Sequence, residues 1–372
     1  MGGSRRLSVE SALVGGELVA GDVSVCAGVV EAVGLPPAPG ASGVAVPGFL
    51  DWQVNGFAGV HFTDADASGF ATAEYALACA GIVLALPTVL NTSVDGYLGA
   101  LDELAHYRAS VPDSGLLGAH LEGPFLSPRW HGAHDEGSFH HGTPDLLTAL
   151  LGSGEVSMLT LAPEQPGVEA LIPALVDAGV VVSIGHSDAT VQQCAAAQKL
   201  GASAVTHCWN AHRRFAPRDP GPAGWALSRQ GVTVGLIADG IHVAPEVLAL
   251  TFAAAPHRVA LTTDAIAPAV PGSDGPGPTV GAPMRGVVVR DGAARLADGT
   301  LAGSVATPSD MLRVLDAAGV DFPSAVRALH APQAEALGLQ PWSLLPGDPA
   351  HVVVLDDAME VCQAWRHGRR LV

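Results

Sequence analysis

Positive charge is scarce in this chain. Its 372 residues include 18 Lys and Arg against 36 Asp and Glu, a net charge of −18, and Lys199 is the single lysine. A field of that sign repels phosphodiester backbones and argues against general nucleic-acid binding. The shortage of lysine, set beside abundant Ala and Gly, reads as the imprint of a GC-rich genome and carries no function. Cysteine is sparse too: Cys26, Cys79, Cys194, Cys208 and Cys362 are scattered, odd in number and form no CxxC. Reduced thiols in a cytosol are the expectation, and with them a cytoplasmic location. No apolar run reaches the roughly 18 residues of a membrane span. The opening MGGSRRLSVESALVGG has two arginines but neither a continuous apolar core nor a cleavage site, so no signal peptide and no membrane partner are expected. Charged residues make up only 15% of the chain and hydrophobic ones 48%, too apolar for disorder and ample for a sizeable core.

Both ends of the chain look alike. LSVESALV, GELVAGDVSV and AGVVEAVG near the start, and HVVVLDDAMEVCQAWRHGRRLV at the end, read as short strands broken by turns. They are expected to pair into one small β-sandwich domain, residues 1–46 plus 345–372, with residues 47–344 inserted as a larger unit. The insert carries eight apolar runs of strand type, at 44–55, 81–89, 115–124, 156–164, 180–188, 204–211, 232–240 and 259–265. Helix-like stretches such as ATAEYALACA and DATVQQCAAAQKL lie between them. Near-continuous apolar strands alternating with helices mean a parallel sheet, and eight units mean an α/β fold of the (β/α)8 TIM-barrel type, with an eight-strand doubly wound sheet as the alternative. PGSDGPGPTVG, at 271–281, reads as a mobile Gly/Pro loop after the eighth strand.

Polar residues end these runs where a barrel core has no use for them. Asp51, Gln53 and Asn55 close the first, His120 and Glu122 the third, His186 the fifth, and His207 and Asn210 the sixth. Asp239 and His242 follow the seventh, and Asp264 ends the eighth. The C-terminal strand ends of such a barrel converge on one mouth. There Glu122, His186 and His207 supply a carboxylate and two imidazoles, the ligand count of a catalytic divalent site that keeps a position open for water. These donors suit zinc or iron better than calcium or magnesium. A cation of this kind lowers the pKa of its water toward 7, making hydroxide available near neutrality. Asp264 is then the group to move the proton, and His242 the group to polarise a carbonyl, so the expected chemistry is metal-assisted hydrolysis of an amide. Taken singly, each strand-end histidine reads equally well as a hydrogen-bonding partner, and Asp264 as a helix N-cap. Cys208, beside His207, is expected to point the other way along a strand, and His131, His140 and His141 to lie in a solvated loop. In HCWNAHRRFAPRDPG (207–221), Asn210 and Ala211 precede Arg213, Arg214 and Arg218, a basic cluster that suits a phosphate or carboxylate on the substrate.

In order along the chain, PGFLDWQVNG, HLEGPF, GHSDAT, THCWNA, ADGIHV, TDA and GTLAGS resemble the N-acetylglucosamine-6-phosphate deacetylases, a family of the amidohydrolase superfamily. The resemblance covers nearly the whole chain. It implies a (β/α)8 barrel with a small β-sandwich, a homodimer, and removal of acetate from N-acetylglucosamine 6-phosphate. It implies that Glu122, His186 and His207 bind the metal, that Asp264 transfers the proton, and that His242 polarises the acetamide carbonyl. By the same resemblance His134 contacts the sugar, the Asn210 and Ala211 backbone holds the phosphate, and Arg218 reaches the phosphate of a neighbouring subunit. Where many amidohydrolases carry His-x-His on the first strand, this chain has Gln53 and Asn55, so one divalent metal ion per subunit, zinc or iron, is expected rather than two. Where the family often has Met after Asn-Ala, this chain has His212, followed by Arg213 and Arg214.

Overall fold

The computed structural model describes residues 3–269 and 286–372; the 271–281 loop lies outside them. Eight parallel strands form one sheet in strict chain order: β1 (Phe49–Val54), β2 (Ile82–Leu90), β3 (Ala119–Glu122), β4 (Val156–Leu161), β5 (Val181–Ile184), β6 (Ala204–Val205), β7 (Thr233–Leu236) and β8 (Val259–Leu261). Helices cross between them, among them Ala67–Cys79, Val94–Ser110, Val191–Leu200 and Pro245–Ala254. All nine residues of β2 are buried, as a strand covered on both faces requires. The sheet closes on itself just past β8. Asp264 N–H donates to the Gln53 carbonyl at 2.9 Å, and Asn55 N–H to the Ala265 carbonyl at 2.8 Å. The chain is therefore a (β/α)8 barrel.

A buried carboxylate reinforces that closure. Asp51, on β1, accepts hydrogen bonds from Gln53 N–H (3.1 Å), Thr262 Oγ1 (2.6 Å), Thr263 N–H (3.0 Å) and Thr263 Oγ1. Hydrogen bonds to a charged group contribute about 1.5–3 kcal/mol each when partners are well placed. Asp51 is thus a clamp between the first and last strands, set immediately before Asp264, and not a group of the mouth itself.

The apolar run 44–55 serves two sheets. Val44–Pro47 joins a six-stranded sheet of order Arg369–Arg370, Val361–Arg366, Val352–Leu355, Val44–Pro47, Ser11–Val14, Glu17–Ala20, which draws on both chain ends. A second sheet, Arg5–Arg6, Asp22–Cys26 and Val29–Leu35, faces it across Leu7, Val9, Val23, Val25, Val30, Val352 and Trp365. The chain passes from sandwich to barrel at Gly48, where a Cβ would stand 2.7 Å from Val83 Cγ2 and 3.1 Å from the His351 carbonyl carbon. Only glycine fits there, so one hydrophobic run changes sheets without a loop.

After β8, strands Val288–Arg290, Ala293–Arg295 and Leu301–Ser304 make a small antiparallel sheet over the mouth. Its inner strand is held by Ser304 N–H donating to the Asp264 carbonyl (2.9 Å) and Ile266 N–H donating to the Ser304 carbonyl (3.0 Å). Among the described residues no helix is long and apolar enough to cross a membrane.

Candidate active site

The strand-end residues meet at the C-terminal mouth, on the floor of a cavity of about 620 Å³ lined by Glu122, His134, His186, His207, Asn210, Ala211, His242 and Asp264. Glu122 is the last residue of β3, whereas His186, His207 and Asp264 stand just beyond their strands. These last three adopt left-handed backbone, with φ of 48°, 27° and 48°. Such backbone costs of order 1–3 kcal/mol per residue and clusters where function demands it. Here it turns each side chain inward at the point where its strand stops.

Glu122 Oε1 lies 3.1 Å from His186 Nε2 and 2.9 Å from His207 Nε2, and the two nitrogens are 3.1 Å apart. Three ligand-type atoms from three strands therefore point at one small volume. The His186 Nδ1–H donates to the Trp130 carbonyl at 2.8 Å, which leaves its Nε2 lone pair facing the cluster, the tautomer a metal ligand needs. Burial alone raises a carboxyl pKa, but the neighbouring His186 and His207 rings hold Glu122 well below its ordinary value, so it is ionised. Burial likewise works against a charged His207, yet the Glu122 hydrogen bond lifts it above its usual value. The donor set fits a divalent cation: two neutral-capable imidazoles, one ionised carboxylate, and an outer partner fixing a ring.

Gln53 and Asn55 are donors, not ligands. The Gln53 amide donates to Glu122 Oε1 (3.1 Å) and to Asp264 Oδ1 (3.1 Å), and the Asn55 amide donates to Asp264 Oδ1 at 2.8 Å. Two amides thus fix one oxygen of Asp264, while Oδ2 has no hydrogen-bond partner among the described residues. Burial, then the Glu122 charge, pushes the Asp264 pKa up to about 7. Asp264 caps no helix. His134, from the loop after β3, stands 3.7 Å from Glu122 Oε2, its ring edge-on to His186 with centroids 4.6 Å apart.

Other residues are redistributed. His120 faces the barrel interior, with Nε2 2.7 Å from Thr160 Oγ1 and Nδ1 3.1 Å from the Trp52 carbonyl, and takes no part in the cluster. Cys208 is buried, but it lies in the turn after β6 and not on a strand as expected, because β6 stops at Val205. His131 is not simply solvated: it lines the cavity, 3.5 Å from Glu136. Of the basic segment, His212 is buried beneath His207, its Nε2 2.8 Å from the Thr206 carbonyl, and Arg213 pairs with Asp219 at 2.8 Å and Asp188 at 3.4 Å. Arg214 lines the cavity; Arg218 is exposed and does not. Ala211 has φ of 51°, and the Asn210 side-chain amide nitrogen beside it is buried without a hydrogen-bond partner among the described residues. Sequence reasoning passed over the Trp130 carbonyl, since a main-chain acceptor leaves no mark on residue type.

No family model matches the chain. A curated relative, the N-acetylglucosamine-6-phosphate deacetylase of Bos taurus, is 34% identical over 342 residues, 87% of this chain and 82% of that protein. The N-acetylgalactosamine-6-phosphate deacetylase of Escherichia coli O157:H7 is 32% identical over 330 residues, 87% of this chain and 86% of that one. Among solved structures, an aspartate-to-alanine variant of N-acetyl-D-glucosamine-6-phosphate deacetylase from Mycobacterium smegmatis, in complex with N-acetyl-D-glucosamine-6-phosphate, superimposes with a TM-score of 0.90 at 32% identity, covering 100% of both chains. The strand-end cluster, the barrel that carries it and these likenesses along nearly the full length agree, and the chain belongs to the N-acetylglucosamine-6-phosphate deacetylase family of hydrolases, in the amidohydrolase superfamily.

Proposed function

We propose that the protein hydrolyses the acetamide of N-acetylglucosamine 6-phosphate to glucosamine 6-phosphate and acetate. The observation that carries this reading is the meeting of Glu122, His186 and His207 with a tethered Asp264 in one cavity. Glu122, His186 and His207 would hold one divalent cation, zinc or ferrous iron, which when bound supplies Lewis acidity and lowers the pKa of water toward neutrality. Gln53 and Asn55 spend their amide hydrogens on Asp264 and Glu122, which favours one ion per subunit. Asp264, anchored through Oδ1, offers Oδ2 to the water that attacks the carbonyl carbon. It takes that water's proton and delivers it to the nitrogen as the C–N bond breaks. His242 faces the carbonyl oxygen, and His134 orients the sugar ring. The Ala211 N–H and Asn210 receive the phosphate. Arg218, outside this chain's own cavity, would complete the phosphate site of a second copy, making a homodimer the working unit.

The test is acetate release by purified protein from N-acetylglucosamine 6-phosphate and from the unphosphorylated sugar, before chelation, after it, and after metal add-back. Release from the phosphorylated sugar that chelation abolishes and metal restores is expected. No release from folded, metal-loaded protein would discard the substrate. A second substrate, N-acetylgalactosamine 6-phosphate, belongs in the same assay, because a deacetylase of that name is nearly as similar to this chain as the glucosamine enzymes. Substrates without a 6-phosphate, such as other N-acyl amino sugars or cyclic amides, are the further alternative.

A further inference from the structure

Asp239 follows β7 and His242 lies three residues on, both in ADGIHV. The Asp239 side chain is 3% exposed and fully engaged. Its Oδ1 accepts from Ile241 N–H at 2.9 Å and His242 N–H at 2.8 Å, which folds the segment into a tight turn around the carboxylate. Its Oδ2 lies 2.7 Å from His242 Nδ1 and accepts a second hydrogen bond from Ser304 Oγ at 3.2 Å. A carboxylate oxygen accepts only, so the imidazole hydrogen must sit on Nδ1. The remaining nitrogen, Nε2, has no partner among the described residues, and His242 lines the cavity.

Ser304 belongs to two hydrogen-bonding systems at once. Its main chain pairs with the Asp264 carbonyl and Ile266 N–H, and its hydroxyl reaches Asp239. The close approach depends on Gly303, where a Cβ would stand 2.9 Å from the Asp264 carbonyl oxygen and 2.6 Å from Ile266 Cγ2. One short strand therefore ties the residue that moves the proton to the residue that faces the carbonyl.

We propose that Asp239 is the positioning residue of His242: its buried carboxylate takes the Nδ1 hydrogen, presents Nε2 to the cavity, and is kept in register with Asp264 by Ser304. This rests on the reading of His242 given under the proposed function. With Nδ1–H committed to Asp239, Nε2 donates to a substrate oxygen only as an imidazolium, and the adjacent carboxylate stabilises that charge as it does in an Asp–His pair. Asp239 thus sets the ring's orientation and the form in which it works without touching substrate.

Asp239→Asn is the informative variant. The asparagine oxygen keeps both main-chain hydrogen bonds, while its amide donates to Nδ1 and forces the histidine hydrogen onto Nε2. The turn survives and the pairing reverses. Nitrogen-15 spectra of the histidine rings, with the His242 signals assigned by their loss in His242→Ala, should show hydrogen on Nδ1 in the parent protein and on Nε2 alone in Asp239→Asn. An Nε2–H neutral ring in the parent would overturn the proposal whatever the substrate is. In the deacetylase assay kcat should fall roughly 10- to 100-fold with KM within about threefold, as when one transition-state donor is weakened. Asp239→Asn placed on His242→Ala should cost nothing more, because the carboxylate acts only through that ring. An undiminished kcat in Asp239→Asn, or a full further loss in the double variant, would overturn the proposal. If the ring spectra come out as expected while no acetylated sugar phosphate is turned over, the pairing stands and the substrate reading falls.

Discussion

Two groups of histidines occupy opposite ends of the barrel. At the mouth, His134, His186 and His207 stack edge-on with centroids 4.6 and 4.9 Å apart. At the junction with the sandwich, the buried His330 and His351 pack against Trp342 with centroids 5.7 and 4.9 Å away, and the exposed His367 stands 4.3 Å from His351. The rings are equally crowded, yet the electrostatics differ. The mouth has Glu122, whose hydrogen bond holds His207 above its ordinary pKa despite burial, whereas His134, 3.7 Å from the same carboxylate without such a bond, is pushed by burial down to about 3. The junction histidines have no ion pair among the described residues, and burial pushes His330 down to about 4 and His351 to about 3. Burial alone makes a histidine a neutral packing residue. A buried carboxylate hydrogen-bonded to it works against that, as at His207. The junction group is a seam, closed by Trp342 Nε1–H donating to the Gly48 carbonyl at 2.9 Å.

Substitutions should separate the two ends, and the largest effect belongs to Asp264→Asn. On the proposed mechanism it removes the proton carrier and leaves the three ligands, so kcat should fall by roughly 10³-fold with the metal retained. Activity near that of the parent would exclude Asp264 as the carrier. Arg218→Ala should come next, raising KM for the phosphorylated sugar roughly 10- to 100-fold with kcat little changed, since on the proposed reading it removes one charge-assisted contact to the phosphate. An unaltered KM in steady-state kinetics would take Arg218 out of the phosphate site. His351→Gln should do least to catalysis, leaving turnover within about twofold, and should instead change acid stability. An unfolded histidine takes up its proton near pH 6.5, whereas His351 in the fold does so near about 3. Between those values the unfolded state binds more protons, so stability falls as pH falls, by about 1.4 kcal/mol per pH unit for each such histidine. Thermal melts from pH 6.5 to 4.5 should lose less ground in His351→Gln than in the parent; identical slopes would mean that His351 is not buried neutral.

The barrel was legible because parallel strands covered on both faces read as unbroken apolar runs, and the mouth because a polar residue at the end of such a run has no packing reason to be there. Glu122, His186, His207 and Asp264 all carried that mark. Features that depend on a single backbone angle or a main-chain partner did not. The left-handed turns at His186, His207 and Asp264 occur on ordinary residues, and the Trp130 carbonyl has no residue signature. Asp51 carried the same strand-end mark as the site residues but clamps the barrel shut, because its partners, Thr262 and Thr263, lie on the far side of the closure. The run at 44–55 hid a change of sheet at Gly48 because hydrophobicity does not distinguish one core from another. The basic segment after Asn210 looked uniform in sequence, yet it divides into a buried His212, a paired Arg213 and a cavity-facing Arg214.

The contrast between the two ends is tested most directly by the metal content of the purified protein, by elemental analysis, beside His207→Ala and His351→Gln. The parent and His351→Gln should each hold about one divalent ion per chain, and His207→Ala should hold almost none, since the proposed ion would depend on all of Glu122, His186 and His207. Two ions per chain, or full occupancy in His207→Ala, would contradict a single centre built on Glu122, His186 and His207.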